Sequence, residues 1–235
     1  MRRANPPDRP YRRSIRLSGY DYASTGAYFV TIVVQGRACV FGQVVGGEMQ
    51  RNLLGDLINY AWHDMPHHHP NVVLDAFVVM PNHIHGIILL IDPVGATPAS
   101  PAPASPAPAS PAPASPTRSD TDLPAARGPS PGSIGAIIGS FKASTSRRLN
   151  ILRQGDAGVG AGDAGVAPTG LVLPEGRLWQ RNYYEHVIRT DDALNHIRNY
   201  IHTNPQRWFQ DRENPDRHAD DPFDQWLDTG ADHPP

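Results

Sequence analysis

The sequence predicts an α+β fold: a ferredoxin-like sandwich with a mostly antiparallel sheet and helices on one face. Three observations lead there. β-branched runs and amphipathic segments follow one another as strand–strand–helix–strand–strand–helix–strand–helix. The apolar runs are dense enough for central strands buried on both sides. The 25 Pro and 21 Gly of the 235 residues are concentrated rather than spread, with 12 of the prolines between Pro93 and Pro131. Outside that stretch, the chain has the composition of one ordinary domain.

The elements follow in order. Residues 1–26 are rich in Arg, Pro and Tyr and read as an extended arm. Ala27–Gln35, between Gly26 and Gly36, is a strand. Cys39–Val45 is its expected hairpin partner, with Cys39 in the core. Asn52–Met65 carries Leu53, Leu54, Leu57, Ile58, Ala61 and Trp62 at helical spacing and stops at Pro66. His67, His68 and His69 follow in a polar turn. Val72–Met80 and Ile84–Ile91 are two further strands about Pro81-Asn82. Ser133 caps a helix to Asn150, with Ile134, Ile137, Ile138, Phe141 and Leu149 inward. Leu178–Ile188 suits a last strand. A helix capped by Asp191 or Asp192 runs to about Thr203, where Asn204-Pro205 ends it.

Two stretches do not belong to this pattern. Residues 93–132 contain a nearly regular Ala-Ser-Pro-Ala-Pro repeat without large apolar side chains. Such a segment does not offset the entropy of ordering, so a disordered or polyproline-like spacer is expected. Residues 155–176 form a second, Gly-rich insert. The division that results is an arm (1–26), a domain (27–208) with two inserts, and an acidic, irregular tail (209–235).

Composition narrows the function. No apolar run approaches the roughly 18 residues that span a bilayer, and no apolar core follows the N-terminal arginines, so neither a membrane protein nor a secretory leader is expected. One cysteine excludes an internal disulfide framework and fits a cytoplasmic location. The net charge of -2 is a cancellation. Residues 1–210 hold 19 Arg/Lys against 15 Asp/Glu, whereas residues 211–235 hold two arginines against eight acids. Arg12, Arg13 and Arg16 stand in an arginine-rich run, and Lys142, Arg147, Arg148 and Arg153 in an acid-free one. Basic runs of this kind suit phosphate.

The chemistry-bearing motif is Pro81-Asn82-His83-Ile84-His85-Gly86. In a strand, residues i and i+2 share a face, so His83 and His85 project side by side. They can chelate a divalent ion or form a hydrogen-bonded pair. On the last helix, Tyr200 and Asn204 are one turn apart and share a face, with His196 one turn earlier.

Three blocks together resemble the REP-associated tyrosine transposases, relatives of the IS200/IS605 single-tyrosine transposases in the HUH nuclease group. They are Gly19-Tyr20-Asp21-Tyr22 with Gly26–Thr31, the core Val79–Gly86, and Trp179–His186 with Tyr200-Ile201 and Asn204-Pro205. The resemblance spans about residues 12–92, 133–153 and 177–208.

The resemblance implies a metal-dependent DNA strand nuclease and transferase. His83 and His85 match the metal-binding pair, Asn204 stands where a third ligand completes the site, and Tyr200 matches the nucleophile. Tyr183 and Tyr184 are rivals, but only Tyr200 has the one-turn relation to Asn204. Mg²⁺ or Mn²⁺ is the expected cofactor. The implied reaction runs through a 5′-phosphotyrosine, with His196 or His202 as candidate bases. Single-stranded or hairpin DNA is the expected partner, bound by Arg12, Arg13, Arg16, Lys142, Arg147 and Arg148, with Tyr11, Tyr20, Tyr22 and Trp208 as base-stacking candidates. The acting unit is a monomer or a homodimer. Two other readings stay open: a catalytically silent DNA-binding protein of this fold, and an unrelated His-x-His metallohydrolase that takes a further ligand from another element.

Overall fold

A computed structural model of the chain describes residues 20–92, 129–157 and 176–228, with side chains described only to residue 154 in the second stretch. Much of the arm, both inserts' interiors and the last seven residues lie outside these ranges. So do Arg12, Arg13, Arg16 and Tyr11.

The sheet is built from β1 (Gly26–Val33), β4 (Val72–Val79), β5 (His83–Leu90) and β6 (Tyr184–Ile188), in the order β4-β5-β1-β6. All its pairings are antiparallel. With α1 (Leu53–His63) after β1 and α3 (Ile134–Ala157) after β5, the frame is βαββαβ, the split arrangement that the sequence predicts.

Alternation along β1 separates two cores. Tyr28, Val30, Ile32 and Val34 face α1 and α3, where they meet Leu54, Ile58, Trp62, Ile137 and Phe141. Phe29 faces the other way, toward Ile87, Ile188 and the helix α4 (Asp191–Thr203) through Ile197, Tyr200 and Ile201. Helices thus cover both faces of the sheet, one layer more than expected. The strand β5 is buried along most of its length for this reason, and its side chains divide between the two cores.

Helix ends follow the sequence signals. Asn52 caps α1 by accepting from the Gly55 N–H, and Thr190 caps α4 by accepting from Ala193 N–H. The cap of α4 is therefore Thr190, one residue before the expected aspartates, which occupy the first turn and favour its positive end.

Several local expectations are corrected. Residues 42–45 do not pair with β1; β2 (Gly42–Val45) and β3 (Glu48–Arg51) form a separate ribbon. Gly46 and Gly47, both at positive φ, make its turn, and such a turn closes a two-residue hairpin locally. Cys39 is exposed rather than in the core. Met65–His68 is a short helix, α2, and Asp64 just before it pairs with both His67 and His68. Of the expected last strand only Tyr184–Ile188 joins the sheet, apart from a bridge between Val34 and Trp179. The carbonyls of Gln180 and Asn182 are taken by Lys142 Nζ at 3.0 and 2.8 Å, which diverts them from a ladder.

The tail is the largest correction. After a 3₁₀ segment (Asn204–Gln210), the chain returns over the α4 face, and the last described element is α5 (Pro222–Asp228). Phe223 is 2% exposed, and Asp211, Glu213, Asn214 and Asp221 are buried.

Gly86 marks the tightest packing in the frame. A Cβ there would lie 2.3 Å from Trp62 Cζ2, under the indole that stacks on Phe77 at 4.5 Å. Gly86→Ala is expected to lower the denaturant midpoint by an amount equivalent to about 1–3 kcal/mol or more. A midpoint equal to the parent's would refute this packing.

Candidate metal centre and nucleophile

The site sits at the N-terminal end of β5, on the α4 face. His83 and His85 leave the strand on that face, as their two-residue spacing requires. They are 0% and 2% exposed, and their Nε2 atoms are 2.9 Å apart. Asp211, 0% exposed, brings Oδ2 to 3.6 Å from each Nε2. Among the described residues these three form the one cluster of His, Cys, Asp or Glu with ligand atoms all within 4.8 Å.

Burying two imidazoles and a carboxylate demands partners. Asn82 supplies those of His83. Its Nδ2 donates to the carbonyls of Arg37 (2.9 Å) and Glu213 (2.7 Å), which fixes the amide's orientation. Oδ1 must then accept the Nδ1–H of His83, 2.8 Å away, and His83 Nε2 is left as a bare lone pair. The Nδ1 of His85 meets Thr31 Oγ1 at 2.9 Å. A hydroxyl can donate or accept, so it serves either tautomer of His85. Asp211 Oδ1 accepts from the Glu213 N–H (2.7 Å), and Oδ2 accepts from Asn204 Nδ2 (2.9 Å).

The electrostatics agree. Burial, opposed by Asp211 and aided by His85, pushes the His83 imidazole down to about 3, so it is neutral at physiological pH. Burial alone would raise Asp211, but the two histidines and the Asn204 amide outweigh it and hold the carboxyl below the usual carboxylate range. A neutral imidazole and a carboxylate are the forms in which these residues bind metal.

The donor set fits a divalent cation. Two Nε2 atoms and a carboxylate oxygen converge, and Asn204 Oδ1 is buried without a hydrogen-bond partner among the described residues. Nitrogen with oxygen donors suits Mn²⁺ and its neighbours better than Mg²⁺, which prefers oxygen alone.

Tyr200 completes the constellation. It lies on α4, is 3% exposed, and places its hydroxyl 3.2 Å from His85 Nε2 and 3.5 Å from Asp211 Oδ2. Its ring stacks on Phe223, with centroids 3.6 Å apart and planes at 8°. Burial first, then Asp211, Asp221 and Asp224, push the phenol well above its usual value, with Arg207 opposing them. Arg207 stands over the ring at 5.9 Å and is ion-paired with Asp221.

Of the other candidates, only Asn204 touches this cluster. Asn204, the C-cap of α4, is beside it, but the structure turns its nitrogen toward Asp211; the oxygen that meets the histidines belongs to Asp211. Tyr183 donates to Glu185 Oε2 at 2.6 Å, and Tyr184 packs edge-on to Phe29. His196 stacks on Phe223, and His202 is exposed; the groups next to the phenol are His85 and Asp211. Lys142, on the opposite face, holds backbone carbonyls, and burial pushes it down to about 8. Arg147 is exposed, while Arg148 pairs with Asp64 and lies over Tyr60. Tyr20 and Tyr22 pack on Tyr28, and Trp208 lies 6.0 Å from the His83 ring.

Asp211 has no motif around it in the sequence, where it is one of the eight acids of residues 211–235. A signal for the segment that delivers it was present: Phe223, Trp226 and Leu227 are an i, i+3, i+4 stripe in an otherwise polar stretch.

The fold and site define an antiparallel α+β domain with a buried His-His-Asp cluster and an adjoining tyrosine. The chain is 35% identical over 205 residues to an uncharacterised protein of Haemophilus influenzae, covering 86% of this chain and 92% of that one. It belongs to the same family as that protein. No family model matches the chain. Two solved structures are similar. One is a REP-associated tyrosine transposase bound to a REP hairpin (15% identity, TM-score 0.43, 83% of this chain and 74% of that one). The other is a candidate transposase from Deinococcus radiodurans (16% identity, TM-score 0.36, 80% and 96%).

The helix that carries Tyr200 is tethered to β4. Arg198 donates from Nε and Nη2 to the two oxygens of Asp75 at 2.9 and 2.6 Å, beside the irregularity between Leu74 and Phe77. These bonds hold the Asp75 carboxyl below its usual value, despite partial burial. Its stabilisation is therefore present above the unfolded carboxylate pKa of ~3.9 and lost as pH falls through the lower folded value. Asp75→Asn is expected to cost about 1–2 kcal/mol at pH 7. The difference from the parent should narrow in denaturant titrations as pH falls below the unfolded carboxylate value of ~3.9, and vanish once the folded carboxyl is protonated too. A difference independent of pH would contradict the ion pair as its source.

Proposed function

We propose that this protein is a metal-dependent single-tyrosine DNA strand nuclease and transferase, acting on single-stranded or hairpin DNA. The observation that carries the reading is the approach of the Tyr200 hydroxyl to the His83–His85–Asp211 cluster. The motif resemblance to REP-associated tyrosine transposases supports it independently. Tyr200 is the nucleophile. His83, His85 and Asp211 would hold the metal, with the Asn204 carboxamide alongside.

A bound Mn²⁺ or Mg²⁺ supplies Lewis-acid polarisation of the phosphoryl oxygen. The chain's own residues do the rest. Tyr200 Oη bonds to phosphorus while the bond from phosphorus to the 3′ oxygen breaks. The products are a 5′-phosphotyrosine and a 3′-hydroxyl, and the phosphodiester energy is kept for rejoining. The phenolic proton goes to Asp211 Oδ2, an acceptor 3.5 Å from the hydroxyl. A carboxylate is too weak a base to ionise a raised phenol beforehand, so proton transfer accompanies bond formation. The leaving 3′ oxygen takes up a proton in turn. DNA reaches the phenol only when the Phe223 ring moves off it.

On this reading, phosphate contacts come from Arg12, Arg13 and Arg16 of the arm and from the exposed Arg147. Lys142 and Arg148 would have to leave their present partners to join them.

One observation favours a second reading. Asp211 supplies the ligand from another element that a His-x-His metallohydrolase needs, and such an enzyme would make no use of Tyr200 as a nucleophile. A labelled single-stranded hairpin with Mn²⁺, resolved on a denaturing gel, separates the two. The transferase reading expects a covalent protein–DNA adduct, absent in Tyr200→Phe and reduced to background in His83→Ala. Metal-dependent cleavage without an adduct would favour the hydrolase. An adduct that survives Tyr200→Phe but not Tyr184→Phe would move the nucleophile. Asp211→Asn is expected to weaken Mn²⁺ binding by more than the ~10–100-fold typical of a lost outer hydrogen bond. Unchanged affinity would remove Asp211 from the site.

A further inference from the structure

One amide stands between the two halves of the metal cluster. Asn82 is 0% exposed, and both its amide hydrogens and its amide oxygen are bonded around the site. Oδ1 accepts from His83 Nδ1 at 2.8 Å. Nδ2 donates to the carbonyls of Arg37 at 2.9 Å and of Glu213 at 2.7 Å. Its own carbonyl accepts from the Val34 N–H at 2.8 Å, which anchors it to the end of β1. Glu213 is two residues beyond Asp211, its N–H is bonded to Asp211 Oδ1, and its carboxylate pairs with Arg37 Nε at 2.8 Å.

We propose that Asn82 is the positioning residue of the metal centre, acting on both sides at once. Toward β5 it selects the His83 tautomer with Nδ1 protonated and Nε2 bare. Toward the C-terminal segment it holds the backbone that delivers Asp211 Oδ2 to within 3.6 Å of both histidines. The role rests on the metal reading of the preceding subsection.

The chemistry is specific to a carboxamide. Aspartate at this position keeps an acceptor for His83 but has no hydrogens for the two carbonyls. Alanine keeps neither function. A serine or threonine has one donor and does not serve both carbonyls and the imidazole together. Residues that orient a ligating histidine through its second nitrogen also raise its basicity toward the metal.

The two functions are separable on the full-length protein. Histidine ring nitrogens are read by ¹⁵N-edited NMR without metal, backbone exchange of residues 211–214 by hydrogen exchange, and Mn²⁺ affinity by titration. The parent is expected to show His83 with Nδ1 protonated and Nε2 bare. In Asn82→Asp that tautomer should persist while exchange at residues 211–214 speeds up. In Asn82→Ala both tautomers should appear, and Mn²⁺ affinity should fall about 10–100-fold. Arg37→Ala loosens the same segment without touching His83, and should leave the tautomer intact.

Parent protein with His83 protonated at Nε2 would overturn the proposal. So would Asn82→Ala that folds and binds Mn²⁺ like the parent, or an equal loss in Arg37→Ala with the tautomer unmoved in all variants. A parent that takes up no Mn²⁺ would instead overturn the metal reading itself, and this proposal with it. Should Asn82→Ala fail to fold, Asn82→Asp alone decides, since the proposal requires its tautomer and its exchange rates to part ways.

Discussion

Two imidazoles and a carboxylate, almost wholly removed from water, are packed together at the end of β5. Leaving such groups unpaired in a protein interior costs several kcal/mol, and much of the surrounding structure serves to avoid it. Asn82 and Thr31 take the second ring nitrogens. Asn204 and the Glu213 N–H take the carboxylate. The return of the chain after α4 serves the same constraint, because it places Asp211 against both histidines and the Glu213 carbonyl against the Asn82 amide. The ion pair of Arg37 with Glu213 and the Asn82 amide fasten that segment to the loop after β1, so the site draws on β1, β5, α4 and the C-terminal stretch together.

The frame was legible because strands here are made by β-branched runs and helices by clear apolar stripes. AYFVTIVV and IHGIILL could be buried on both faces and little else, and their order already implied the split βαββαβ arrangement. The His pair and Tyr200 were legible for a similar reason: two-residue and four-residue spacings state which side chains share a face. Asp211 was not, because proximity in space with no periodic relation in sequence leaves no trace in a single chain. Its acidic neighbours hid it further, since most acids in such a stretch are solvated. The polarity and net acidity of residues 209–235 suggest an irregular tail, whereas the apolar stripe of Phe223, Trp226 and Leu227 is the local signal of α5. The ribbon of β2 and β3 was missed although Gly46-Gly47 announces a tight turn; the preceding strand offered a partner nearby, and local closure won.

The second face of the sheet is where function gathers. In the βαββαβ frame α1 and α3 close one side, and α4, the 3₁₀ segment and α5 close the other around polar residues. That side contains the neutral His83, an ionised Asp211 and a phenol whose proton is held tightly. Such an arrangement keeps the Tyr200 phenol protonated while its hydroxyl stays in contact with the cluster.

The central claim is that a divalent cation binds among His83 Nε2, His85 Nε2 and Asp211 Oδ2, next to the Tyr200 hydroxyl. Anomalous diffraction at the manganese edge, from crystals grown with Mn²⁺, tests it most directly. The account predicts one strong peak bounded by those three atoms, with Tyr200 adjoining it. A peak at the exposed His67–His68 pair alone, or none at the buried cluster, would contradict it.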